Sequence, residues 1–183
     1  IDKEDLSGIS DIDTVVICNS LNKKIFDSCI NSFKKIDIDK CGLKNYNLKI
    51  NSSFGPLKFD KPNTAILHLM IYDIKSHKRH VMESPFTCYD WQRSKDFVGL
   101  SLEQIFPVGR IQFRNFKEAR RSTESYLNDL KNNTISYRKY KLVDNKFKQI
   151  KKYQPLNARH KGEFAYHIVK HLVSNYIKFC LNK

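Results

Sequence analysis

Short apolar blocks separated by polar punctuation run through the first half of the chain. Asp13-Thr14-Val15-Val16-Ile17-Cys18 is dominated by β-branched residues and bounded by polar ones, the pattern of a buried strand. From Lys23 to Ile36, Phe26, Cys29, Ile30 and Phe33 recur at helical spacing with Lys, Asp and Asn between them, which predicts an amphipathic helix. Tyr46 to Ile50 and Leu57 to Phe59 are short strand candidates, and Phe54-Gly55-Pro56 between them predicts a turn. Ala65-Ile66-Leu67-His68-Leu69-Met70-Ile71-Tyr72 is the most apolar run in the sequence and predicts a central strand. These segments make a small mixed sheet with flanking helices.

After about Pro85 the period changes. Leu100 to Ile105 leads to a break at Pro107, Phe116 to Leu130 places Phe116, Ala119, Tyr126, Leu127 and Leu130 near one helical face, and Glu163 to Leu181 puts Phe164, Ile168, Leu172, Val173, Tyr176 and Cys180 on another stripe. The expected fold class is α+β, with an α/β domain over residues 1–110 followed by a C-terminal helical bundle over 111–183. No internal repeat or low-complexity tract interrupts this plan.

Composition adds a partner class. Lys and Arg number 33 against 19 Asp and Glu, a formal charge of +14 that draws in polyanions, so nucleotides, nucleic acid or an acidic surface are expected partners. The lysines are spread along the chain, as they also are where composition is biased throughout. Five cysteines, Cys18, Cys29, Cys41, Cys88 and Cys180, are odd in number and lack a C-x-x-C spacing, which argues against a disulfide framework and a zinc ribbon and for a reducing compartment. No window reaches the ~20 apolar residues of a membrane span, and Asp2, Glu4 and Asp5 do not resemble a leader, so a cytoplasmic protein without a membrane partner is expected.

The candidate chemistry lies in Gly8-Ile9-Ser10-Asp11-Ile12-Asp13, directly ahead of the first strand. Residues two apart on extended chain point to one side, so Asp11 and Asp13 present both carboxylates to one point while Ile12 faces away. Two adjacent carboxylates repel unless a cation lies between them. Mg²⁺ (or Mn²⁺), which takes oxygen ligands and bridges to phosphates, fits that need. Gly8 permits close backbone approach, and Ser10 offers a hydroxyl or amide to a phosphate oxygen.

Ser10-Asp11-Ile12-Asp13 followed by a β-branched strand resembles the metal-binding signature of the nucleotidyltransferase superfamily, which includes small antibiotic adenylyltransferases, minimal nucleotidyltransferases and polymerase-β-like enzymes. The resemblance covers about ten residues directly, and the order of strands before a helical C-terminal half is similar to the family's layout. It implies that Asp11 and Asp13 are metal ligands, that Gly8 and Ser10 neighbour the phosphates of an NTP, and that an acceptor hydroxyl receives the nucleotide. The acceptor class, small molecule, RNA or protein, is left open. The family's Gly-Ser turn, some ten residues before the carboxylates, either lies outside the numbered sequence or is reduced here to Ser7-Gly8. A third carboxylate normally stands mid-strand between apolar residues; His68 holds that position between Leu67 and Leu69, and Asp73 is the nearest acid, so either could be the third catalytic group. A fold whose active site has decayed, leaving a basic surface for nucleic acid or a protein, is the alternative.

Other constellations are weaker. His77, His80 and Cys88 match no common zinc spacing and read as a polar loop. His160, His167 and His171 gather near Arg159 and Glu163, with His167 and His171 four apart on one helical face, and read as helix packing. Tyr72, Tyr89 and Trp91 are candidates for stacking a base, and Arg93, Arg120 and Arg121 for contacting phosphates, with Arg93 the leading nucleotide-binding candidate. A P-loop, a Gly-x-Gly-x-x-Gly and Ser or Cys nucleophile arrangements are absent.

Overall fold

A computed structural model describes residues 11–51, 54–57, 63–94, 98–143 and 146–182, of which 140–143 and 146–149 enter as backbone only. Among the described residues the chain is α+β, with a small mixed sheet and six helices that include a long C-terminal one. Contacts sort it into two compact units: Ile1–Tyr72 with Ser136–Gln154, and Asp73–Ile135 with Pro155–Lys183. These units interleave along the chain, whereas the sequence expectation cuts it once near residue 110. Among the described residues no helix is long and apolar enough to cross a membrane.

In the first unit, strand β1 (Ile12–Cys18), helix α1 (Lys23–Phe33), β2 (Asn47–Ile50) and β3 (Thr64–Asp73) follow in order. β3 is central in the order β1-β3-β2, and β2 runs parallel to it with Asn47 opposite Thr64 and Ile50 opposite Leu67. The uninterrupted apolar run of β3 follows from that place: every residue from Thr64 to Leu69 is buried, so both faces of the strand lie against protein. Asn22 caps α1 by accepting from the Ile25 amide at 3.0 Å, and the helix ends at Phe33, three residues before the periodicity suggests.

Phe26, Cys29, Ile30 and Phe33 pack with Val16, Cys18, Leu48 and Ile50 around Leu67, Leu69 and Ile71. This cluster fixes the sheet's sidedness. Even positions of β1 and odd positions of β3 face α1, so Asp13 and His68 point to the opposite face. Leu57, read as the start of a strand, is buried in a bend, and Lys58 and Phe59 lie outside the described residues.

The expectation of a wholly helical second half is corrected by strands β4 (Thr134–Val143) and β5 (Lys146–Pro155), which form a sheet of their own. Adjacent strands joined by two residues must run antiparallel, so this is a hairpin. Its residues read Tyr-Arg-Lys-Tyr-Lys instead of alternating apolar with polar, which is why the hydrophobic pattern does not reveal it. It is anchored on the first unit at Phe54, whose N–H donates to Arg138 O at 2.9 Å while the Arg138 N–H donates to Phe54 O at 2.6 Å. Gly55 lies so close to β4 that an added Cβ would meet Tyr137 Cβ at 3.0 Å.

The second unit holds α2 (Ile74–Glu83), α3 (Pro85–Trp91), α4 (Leu102–Ile105), α5 (Phe113–Lys131) and α6 (Ala158–Leu181). Phe86, Tyr89 and Ile111 are buried against Val108, Phe116, Ala119 and Phe179. On α6 the buried side is marked by Phe164, Ile168 and Asn175, with His171 half-buried. Val173 and Tyr176, placed by periodicity on the core stripe, are exposed, and Leu127 of α5 is exposed as well. An all-round mixture of apolar residues on α6 lets two stripes compete, and the packing of α5 selects the one through Phe164.

Candidate metal centre

Asp11 stands immediately before β1 and Asp13 is the second residue of that strand, while His68 is in the middle of β3. Alternation brings all three to the face away from α1. His68 Nδ1 lies 2.9 Å from Asp11 Oδ2 and 3.3 Å from Asp13 Oδ1. One ligand atom from each residue falls within 4.8 Å of the others, and among the described residues this is the one group of three that could hold a metal ion. The imidazole is buried, with its side chain 8 % exposed, whereas the carboxylates are 39 % and 46 % exposed. The cluster thus has a buried nitrogen at its base and two oxygens at an open rim.

Two carboxylate oxygens within hydrogen-bonding distance of one ring nitrogen require a proton on Nδ1, because its lone pair would otherwise face theirs. That N–H gives the two neighbouring carboxylates a shared hydrogen-bond donor. A divalent cation would serve the same role, and the donor set tests whether it fits. Ligands at ~2.1 Å in octahedral array are separated by ~3 Å, close to both measured separations. Hard carboxylate oxygens suit Mg²⁺ and Mn²⁺, while an imidazole nitrogen in the set moves the preference toward Mn²⁺ and its heavier neighbours. The residues fit a cation, on condition that Nδ1 gives up its proton to become a ligand.

Two residues that the sequence does not single out hold His68 in place. Phe54 stacks on the imidazole with ring centroids 4.1 Å apart and planes inclined by 20°. Asn51, at φ +51°, ends β2 in the left-handed region that Asn tolerates better than most residues. Its N–H donates to Leu67 O at 2.9 Å, its Nδ2 donates to Leu69 O at 3.0 Å, and its Oδ1 accepts from the Leu69 N–H at 2.7 Å. The backbone on both sides of His68 is therefore gripped by one side chain and its amide. An asparagine just after a strand is the signal that could have pointed here, but strand register decides what it reaches.

Two other predicted residues, Asp73 and Arg93, belong to the second unit. Asp73 is the N-cap of α2: its Oδ1 accepts from the Ser76 amide at 2.6 Å and the Ser76 hydroxyl at 2.5 Å, while its own N–H donates to Ser76 Oγ. Those bonds from Ser76 hold its carboxyl below the usual value. Between His68 and Asp73, it is the histidine that reaches the carboxylate pair. Arg93, in the second unit just past the end of α3, lies over the Tyr89 ring of that helix at 3.2 Å from the centroid and donates to Tyr89 O at 3.0 Å. Gly8 and Ser10 lie outside the described residues.

His77, His80 and Cys88 do not converge into a metal-capable group among the described residues. Burial pushes the Cys88 thiol up to about 12, which leaves it protonated and unreactive. His80 stacks on Trp91 at 5.3 Å, and Tyr89 is core. His167 and His171 stack on each other at 6.0 Å with the Tyr126 ring edge-on to both, in keeping with helix packing. Comparison with protein families, characterised proteins and solved structures yields no match for this chain.

Proposed function

We propose that the protein is a metal-dependent nucleotidyltransferase, moving a nucleoside monophosphate from an NTP to an acceptor hydroxyl at the Asp11, Asp13 and His68 cluster. The observation that carries this reading is the convergence of both carboxylates and the buried imidazole on one point at an open rim. A bound Mg²⁺ or Mn²⁺ supplies charge neutralisation for the triphosphate and for the departing pyrophosphate. Asp11 and Asp13 would hold the ion through their carboxylates. His68 either completes the ligand set through Nδ1 or, keeping its proton, fixes the orientation of both carboxylates from below. Phe54 shields the ring from water on one face, and Asn51 holds the strand that carries it. The rim exposure of the carboxylates leaves room for phosphate oxygens. Ser10 and Gly8, next in the chain, are the proposed phosphate neighbours.

Asp13→Asn should abolish Mn²⁺- or Mg²⁺-dependent release of pyrophosphate from NTPs while the melting temperature changes little. Undiminished turnover in that variant would refute the mechanism. A second reading, a degenerate member of the fold that binds nucleic acid or a protein partner, is favoured by His68 itself: a histidine stands where a third acid is expected, within hydrogen-bonding distance of both carboxylates. Absence of cation binding at millimolar Mn²⁺ would decide for it.

A further inference from the structure

The β4–β5 hairpin is the most charged segment of the described fold. Residues 137–153 carry seven basic side chains, Arg138, Lys139, Lys141, Lys146, Lys148, Lys151 and Lys152, against the single acid Asp144. That net +6 of the whole chain's +14 falls within 17 residues, so the ribbon is a concentrated feature and not a sample of a uniformly lysine-rich chain. Arg138, Lys151 and Lys152 are exposed, and none of them is ion-paired with an acid among the described residues. Tyr153 is 58 % exposed, with Lys151 Nζ 5.0 Å from its ring centroid. Ten-residue strands span ~33 Å, enough to follow several phosphates of an extended backbone.

The ribbon is joined to the carboxylate cluster within the same compact unit. Phe54 pairs with the Arg138 backbone on one side and stacks on His68 on the other. A polymer lying along the ribbon at Arg138 therefore passes near Phe54, the residue stacked on His68.

We propose that this hairpin is a docking arm for single-stranded nucleic acid, which it holds by phosphate contacts from Arg138, Lys139, Lys151 and Lys152 and by stacking of a base on Tyr153. Exposed cations beside the exposed Tyr153 ring suit a strand whose bases are free to stack. Binding needs no cation at Asp11 and Asp13, so the proposal stands or falls apart from the catalytic one.

The test is fluorescence anisotropy with a labelled 20-nucleotide RNA and its DNA counterpart, in EDTA, from 50 to 300 mM KCl. Wild type should bind with log K falling linearly against log salt by about 0.7 per phosphate contact. Lys151→Gln with Lys152→Gln should lower that slope by about 1.4 and weaken binding severalfold. Tyr153→Ala should weaken binding at least about fivefold with the slope unchanged, the loss of one stacked base. Lys34→Gln with Lys35→Gln, the same charge change at two exposed sites following α1, should leave both quantities near wild type. Equal weakening by the two lysine pairs, no effect of Tyr153→Ala, or tighter binding to duplex or to phosphatidylserine vesicles than to single strands would each overturn the proposal.

Discussion

At the scale of single residues, the account rests on what surrounds His68. Asn51 replaces two rungs of a sheet ladder with one side chain, satisfying Leu69 on both its N–H and its C=O. Asn51→Ala leaves those groups unpaired and places alanine at positive φ, so it should destabilise the fold by about 2 kcal/mol or more, read as a lower urea midpoint at unchanged m. Phe54→Ala removes the ring stacked on the imidazole; the expected result is a similar loss of stability, with cation affinity reduced because His68 gains freedom, measured by titrating Mn²⁺. Neither residue was legible beforehand, since both act through strand register and a bend, which no local pattern encodes. The carboxylate pair was legible, because alternation alone puts residues 11 and 13 on one side. The choice between His68 and Asp73 was not: it required knowing that Asp73 would cap a helix with Ser76 as its partner.

At the scale of elements, periodicity foretold β1, α1, β3 and the two long helices to within a few residues, since each buries a repeating stripe. The β4–β5 hairpin escaped because its strands carry lysine and tyrosine where a half-buried strand would carry aliphatics. Asp144-Asn145, a turn-forming pair between two such runs, is the signal that was available.

Two helices also give pH predictions. Burial lowers His167 to about 4, and burial lowers His171 in the same direction. A histidine whose folded pKa is depressed is protonated first in the unfolded chain, so the unfolded state binds more protons between about pH 6.5 and 4. Stability should fall as pH drops through that window, and His167→Gln should flatten the dependence of the melting temperature on pH from 7 to 4.5. Asp73 behaves as a capping carboxylate: its folded pKa lies below the unfolded value of about 3.9, so its contribution is complete above that pH and is lost as pH falls through the folded value. Asp73→Ala should cost about 1 kcal/mol at pH 7, and the difference from wild type should shrink in strong acid.

At the scale of the molecule, a net charge of +14 is divided unevenly, and the unit that contains the carboxylate cluster also contains the basic ribbon. An anionic site in the same unit as a cationic ribbon suits chemistry on polyanions, because the ribbon raises local substrate concentration while a cation at the site would offset the repulsion between carboxylates and phosphates. The central claim beneath this is that the three side chains bind a divalent cation. It is tested most directly by calorimetric titration of Mn²⁺ and Mg²⁺ into wild type and Asp13→Asn at pH 7.5. The account predicts one site per chain in the wild type and no saturable heat in Asp13→Asn; equal binding by both proteins, or none by either, would contradict it.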